Sequence, residues 1–215
     1  MDRTKIFVIN HNNKERGNRM ISRLNKLGIS DKVEIIAGLD TCMDSHMDCI
    51  KKFIEAEDKD KDYLVVMEDD IYLHKDFSFY LEYLAEQIEI LDLEIVLLSY
   101  LLGILPKNDP ERFPRLYSDE KISLYNYQRD LWGTQCYMMT YKYAQFLYDN
   151  LTEEYARTHC KHYSSDWTIT KISKKKALMI PMLGIEECEI KGEDYGQNYL
   201  RRCLMDWHYH PETYY

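Results

Sequence analysis

Three carboxylates stand in a row at Glu68-Asp69-Asp70, directly after the apolar run Tyr63-Leu64-Val65-Val66-Met67. A run of that length reads as a buried strand. Ionised acids at its end gain nothing from one another unless a cation is held between them. Hard oxygen ligands suit Mg2+ or Mn2+. Glu68 and Asp70, two residues apart, project to the same side of an extended backbone, and Asp69 projects to the other. The chemistry read from this spacing is therefore a divalent metal held by Glu68 and Asp70. Its competitor is a strand end whose acids are merely solvated.

The elements that must position these acids come in a regular rhythm. Lys5 to Ile9 reads as a first strand, followed by the polar turn Asn10-His11-Asn12-Asn13. Met20, Leu24 and Leu27 recur at helical spacing, with Gly28 where a C-cap glycine belongs. Val33 to Ile36 is a second strand, and Thr41-x-x-Asp44 a capping box opening a helix with Met43, Met47, Ile50 and Ile54 on one face. After the acids, Phe77, Leu81, Leu84, Ile88 and Leu91 trace another helix, and Glu94 to Ser99 another buried strand. Alternating strands and helices predict a parallel sheet covered by helices.

Tyr100 to Leu131 carries Pro106, Pro110 and Pro114 and no period, as a lid, a binding loop or a disordered insert would. Thr134 to Thr140 reads as a strand, followed by a helix with Ala144, Leu147, Tyr148 and Leu151 inward. Ser164-Ser165-Asp166-Trp167 reads as the capped start of a helix through Ile172, and Ala177 to Ile180 and Ile185 to Ile190 as short strands. Asp58-x-Asp60-x-Asp62 imitates the opening of a calcium loop, but Tyr63 stands where that loop needs glycine. It reads as a solvated turn.

Composition narrows the function. With 28 Lys+Arg against 37 Asp+Glu in 215 residues, the formal charge is -9, which argues against nucleic acid as a partner. The longest apolar stretch, Ile95 to Leu105, is too short to span a bilayer, and Met1 to Lys5 running straight into the first strand sets the expectation of no N-terminal signal. The six cysteines form no CxxC pair, so the expectation is reduced, mostly buried thiols in a cytoplasmic protein.

Several stretches, taken in order, resemble glycosyltransferase family 25. They are Val8-Ile9-Asn10 with Arg16 and Arg19; Ala37-Gly38-Leu39-Asp40; Cys42-Met43-x-Ser45-His46; Val65 to Asp70; Trp132 to Tyr137 with Ala144; and Ser165-Asp166. The family usually has a leucine and a basic pair after the first asparagine, and a glycine before the helix cysteine; here stand His11 and Thr41. The resemblance implies an α/β fold of GT-A type: a mostly parallel, Rossmann-like nucleotide-binding sheet flanked by helices, with an acceptor-binding C-terminal part. It implies one domain over residues 1–215, the donor half in 1–100 and the acceptor half in 101–215, compatible with membership of a larger enzyme.

The resemblance also implies a nucleotide-sugar donor, usually a UDP-sugar, a glycan or glycoprotein acceptor, and Mn2+ or Mg2+ on the DXD-like acidic motif. Asn10, Asp40, His46 and Asp69 fall in the donor-side motifs. His46, between apolar Met43 and Met47, reads as support for the core or the helix end. Arg16 and Arg19, beyond the first strand, could pair with phosphate or lie exposed on a helix. The family's later acid, Asp166, is the candidate base for the acceptor hydroxyl, and its competing role is an N-cap; Asp206 is the reserve. His208 or His210 could return to the metal as a third ligand, as in many GT-A enzymes. Trp132, Trp167 and Trp207 offer a stacking platform or plain core packing. Two other functions fit the same residues. One is a phosphohydrolase, disfavoured because Glu68 rather than an aspartate comes first. The other is a transferase-like binding module without turnover.

Overall fold

The computed structural model describes residues 1–56, 61–128, 131–160, 162–187 and 195–215. Its first half is β1 (Thr4–Asn10), α1 (Lys14–Leu27), β2 (Val33–Ala37), α2 (Cys42–Glu55), β3 (Tyr63–Glu68), β4 (Ile71–Leu73), α3 (Phe77–Leu91) and β5 (Ile95–Leu97). The second half continues with β6 (Arg115–Ser118), β7 (Ser123–Tyr125), β8 (Cys136–Thr140), α4 (Tyr141–Asn150), α5 (Glu153–Cys160), α6 (Ser165–Thr168), β9 (Lys176–Ile180), β10 (Gly184–Glu186) and α7 (Tyr195–His208).

Among the described residues, eight strands form one sheet in the order β2-β1-β3-β8-β5-β9-β7-β6, and β4 and β10 form a second, two-stranded sheet. Only β8 and β7 run against the other strands of the large sheet, so it is mostly parallel and flanked by helices, as the strand-helix rhythm predicts. The irregular Tyr100 to Leu131 segment supplies β6 and β7, which extend the sheet at its edge. Both halves of the chain contribute strands.

The inner strands β1 and β3 are buried on both faces, which explains why they read as continuous apolar runs. Ile6, Val8, Val65 and Met67 pack on one side with Met20 and Leu24 of α1 and Leu81 and Leu84 of α3. Phe7, Ile9, Leu64 and Val66 pack on the other with Met43 and Ile50 of α2 and Ala144 and Leu147 of α4. Gly28 closes α1 in the left-handed region, φ 66°, as its position after Leu27 predicts. Thr41 caps α2 by accepting from the Asp44 backbone at 3.0 Å.

β1, β2 and β3 end side by side at Asn10, Ala37 and Glu68. Ligands bind at such carboxyl edges in open α/β sheets. Beyond α7, residues 213–215 pair with β4: Tyr215 N donates to Leu73 O at 2.9 Å and Lys75 N to Thr213 O at 2.8 Å. Among the described residues no helix is long and apolar enough to cross a membrane. Most of the calcium-loop imitation, and residues 188–190 of the last predicted strand, lie outside the described residues.

Candidate functional site at the carboxyl edge of the sheet

β3 stops at Glu68, and Asp69-Asp70 turn the chain into β4. The extended backbone predicted through Asp70 therefore gives way to a tight turn, because β4 must leave the large sheet to pair with β10. The turn separates the acids nonetheless. Asp69 is directed inward, its side chain 1% exposed, accepting from Asn10 Nδ2 and lying 2.6 Å from Arg16 Nη2. The same Arg16 nitrogen is 2.7 Å from Asp70 Oδ2. α1 can come this close to Asn10 because residue 17 is glycine: a Cβ there would lie 2.7 Å from Asn10 Nδ2.

The β4–β10 pairing sets Glu186 opposite Ile71, and Glu187 N donates to Asp70 O at 2.6 Å. Two further acids thus arrive beside Asp70. Glu187 is held by Arg19, 2.9 Å away, and by Arg23. Glu186 accepts from Arg201 of α7 at 2.7 and 3.0 Å. A cavity of about 430 Å³ opens here, lined among others by Arg16, Arg19, Asp70, Glu186 and Arg201.

The charges in this cavity are not balanced. Burial, reinforced by Glu68 and Glu186 and opposed by Arg16, pushes the Asp70 carboxyl up to about 7. Glu186 is also raised, by burial, against the pull of Arg201. Asp70 Oδ1 and Arg16 Nε, on two residues that line the cavity, are buried without a hydrogen-bond partner, and so is Asp69 Oδ1 beside Arg16. Buried polar atoms of native proteins are nearly always satisfied, so orphans of both signs in one cavity mark a place for a ligand. Glu68, Asp70 and Glu186 carry the hard oxygen donors that suit a divalent cation, but as the side chains stand their oxygens are not gathered closely enough for all three to share one ion.

Behind Glu68 lies α2. His46 is fully buried, its Nδ1 3.0 Å from Tyr137 Oη and its Nε2 3.4 Å from Glu68 Oε1. Burial would lower its pKa, but Cys42 and Glu68 outweigh this and raise it to about 9. In turn His46 overrides burial at Glu68 and lowers its carboxyl. His46 therefore touches the site through Glu68 and does not face the cavity of Asp70.

Asp166, at the start of α6, stands across a second cavity of about 540 Å³ that Cys42 and Ser165 also line. Its Oδ1 accepts from Gly133 N at 2.8 Å, Thr134 N at 3.0 Å and Thr134 Oγ1 at 2.9 Å. That oxygen fixes the turn entering β8, and Oδ2 takes no part in it. Trp132 and Trp167 meet edge to face, centroids 6.5 Å apart, over a more apolar cavity of about 410 Å³.

The remaining predicted residues spread out. Asp40 is exposed in the loop after β2, whose Gly38 N donates to Asn10 O and Leu39 N to Ser45 Oγ. Asp206 is exposed on α7, and Trp207 is partly so. His208 is half-buried near Tyr100, its pKa lowered to about 4 by burial and His210, and His210 is exposed. Among the described residues, the group of three whose ligand atoms lie close enough to share an ion is Cys42, His46 and Glu68, and neither tail histidine belongs to it. Sequence reasoning missed Glu186, Glu187 and Arg201. The available signal was Ile185-Glu186-Glu187, which repeats in small the apolar-to-acid step of Met67-Glu68-Asp69.

A sequence profile of glycosyltransferase family 25 (LPS biosynthesis protein) matches residues 32–166, more than half of the chain. A comparison with curated protein sequences finds no match. Among solved structures, the chain is similar to A197 from STIV, at 12% identity and a TM-score of 0.45 over 82% of this chain and 81% of that one. It is similar to mannose-1-phosphate geranyltransferase from Thermus thermophilus at 11% identity and a TM-score of 0.44, covering 82% and 73%. Apo UDP-glucose pyrophosphorylase matches at 9% identity and a TM-score of 0.39, covering 81% and 72%.

Proposed function

Since the chain belongs to glycosyltransferase family 25, we propose that it moves a sugar from a UDP-sugar to a hydroxyl of a glycan or glycoprotein, using Mn2+ or Mg2+ held by Glu68 and Asp70. The observation that carries this reading is Asp70 Oδ1, buried and unpartnered while Glu68 and Glu186 crowd the same carboxylate. When bound, the ion would neutralise the diphosphate as it becomes the leaving group. Glu186 is a further oxygen donor, and His208, a neutral imidazole, or His210 the candidate from the tail.

The chain's own residues do the rest. Arg16 Nε is an unsatisfied donor aimed into the protein beside the acids, and a phosphate oxygen would satisfy it. Arg19 can exchange Glu187 for phosphate. Asn10 holds Asp69 in place, and Asp40 lies at the same edge for the nucleoside. Asp166 Oδ2 takes the proton of the acceptor hydroxyl as it attacks the anomeric carbon, which inverts that carbon. Its Oδ1, fixed by Gly133 and Thr134, keeps the carboxylate oriented. Asp206 is the alternative base. Residues 1–100 bind the donor in this scheme, and residues 101–215 the acceptor.

Thermal-shift titration with UDP-, GDP- and CDP-sugars, each with and without Mn2+, tests the reading. Stabilisation specific to one donor and dependent on Mn2+ supports it. Absence of any nucleotide binding overturns it, and donor binding without transfer or hydrolysis across a broad acceptor panel points to a binding module.

A further inference from the structure

The first turn of α2 carries more chemistry than the transferase reading uses. Cys42 and His46 are four residues apart, one helical turn, so they share a face. Cys42 Sγ lies 3.6 Å from Glu68 Oε1, and His46 Nε2 lies 3.4 Å from the same oxygen. Cys42 and His46 are also in contact with each other. We propose that Cys42 Sγ, His46 Nε2 and Glu68 Oε1 form a binding site for a soft divalent cation, Zn2+, distinct from the hard-cation site at Asp70 and sharing Glu68 with it.

Four features carry this. First, the separations fit the metal: ligands about 2.3 Å (S), 2.0–2.1 Å (N) and 2.0–2.2 Å (O) from a tetrahedral zinc stand about 3.6 Å apart for S and O and about 3.4 Å for N and O. These are the two distances the side chains already keep. Secondly, the ring is oriented as a metal ligand: Tyr137 Oη, 3.0 Å from Nδ1, can accept a hydrogen bond from Nδ1–H, which keeps that proton in place and leaves Nε2 to face Cys42 and Glu68. Thirdly, the three ligand atoms all lie within 4.8 Å of one another, so one ion can touch all three at once.

Fourthly, the site is reachable. Cys42 is exposed, unlike the other described cysteines, and lines the cavity shared with Ser165 and Asp166, which leaves the fourth position open to solvent. Binding releases two protons to solvent, one from the Cys42 thiol and one from the His46 imidazolium, and joins one thiolate, one neutral imidazole and one carboxylate to the ion. Occupancy ties up Glu68, so Zn2+ would weaken Mn2+ binding at Asp70; that consequence rests on the reading of the preceding subsection, while the zinc site itself does not.

Co2+ is the spectroscopic probe, titrated into the full chain with no other divalent cation present, so that nothing competes for Glu68 and the thiolate band reports the cysteine site alone. The expected result is a thiolate-to-cobalt charge-transfer band that saturates at one equivalent, is bleached by Zn2+, persists in Asp70→Asn and vanishes in Cys42→Ser. Loss of a ligand exceeds the loss of a supporting contact, so Zn2+ affinity should fall at least about 100-fold in Cys42→Ser. Alkylation of Cys42 in the wild-type chain, followed by mass spectrometry, needs no variant: Zn2+ should slow it at least about tenfold. A wild-type chain without the band, a band that survives Cys42→Ser, or alkylation indifferent to Zn2+ overturns the site. These readouts depend on Cys42 and hold whether or not Mn2+ binds at Asp70.

Discussion

Two carboxylates, one in a hairpin at the edge of the sheet and one just past the end of an inner strand, show how position decides the work of an acid. Asp119, in the hairpin between β6 and β7, accepts from Lys121 N and Ile122 N at 2.8 Å, from Tyr117 Oη at 2.9 Å and from Tyr83 Oη. Those donors, the Tyr83 hydroxyl foremost, hold its carboxyl well below the usual range. Asp70 has the reverse surroundings: burial, Glu68 and Glu186 push it up to about 7, Arg16 alone pulls it down, and one oxygen has no partner. A carboxylate whose neighbours all donate is finished when the chain folds. One crowded by acids, with a single arginine beside it, still has an oxygen to offer a ligand.

The contrast predicts its own largest effect. Asp70→Asn should cost about 1,000-fold or more in Mn2+-dependent transfer, because the charge that holds the ion is gone. Asp119→Asn should leave transfer within about twofold, since it lies away from the chemistry. Initial rates of both variants at saturating donor check the pair, and equal losses would dissolve the distinction.

The base comes next in size. Asp166→Asn should lower kcat by about 10²–10⁴-fold and leave the donor KM unchanged, whereas Asp206→Asn should change little. The opposite outcome would move the base to α7. A smaller effect is expected at Arg16, where Lys keeps the charge but removes the Nε donor; donor affinity measured by calorimetry should fall about tenfold.

The smallest effect is a pH dependence whose sign follows from Asp70. A folded carboxyl raised to about 7, against about 3.9 unfolded, favours the fold fully below the unfolded value. That advantage is lost as pH rises through 7. Mn2+ reverses the penalty on the ionised form, so its stabilising shift in Tm should be larger at pH 8 than at pH 6. In Asp70→Asn that difference should disappear.

Much of this was legible in the residues. The β3 run into Glu68, the α1 face with Gly28 and the Thr41 cap of α2 are local signals, and the structure carries each of them. The β6–β7 hairpin was not legible, because strands of four and three residues with a bulge between them show no alternation. Nor was the meeting of Glu186 and Arg201 with Asp70. It depends on three-residue strands, β4 and β10, finding each other across more than a hundred residues of chain, and on α7 packing against β10. Sequence proximity put Asp69 and Asp70 together, and only the turn after Glu68 turned Asp69 inward to Asn10 and Arg16 and left Asp70 lining the cavity beside Glu186.

The most direct test is calorimetric titration with UDP, the part common to every UDP-sugar, on the wild type, Asp70→Asn and Asp119→Asn, with and without Mn2+. The account predicts binding by the wild type and Asp119→Asn only when Mn2+ is present, and none by Asp70→Asn. UDP binding that ignores Mn2+, or that survives Asp70→Asn unchanged, would contradict it.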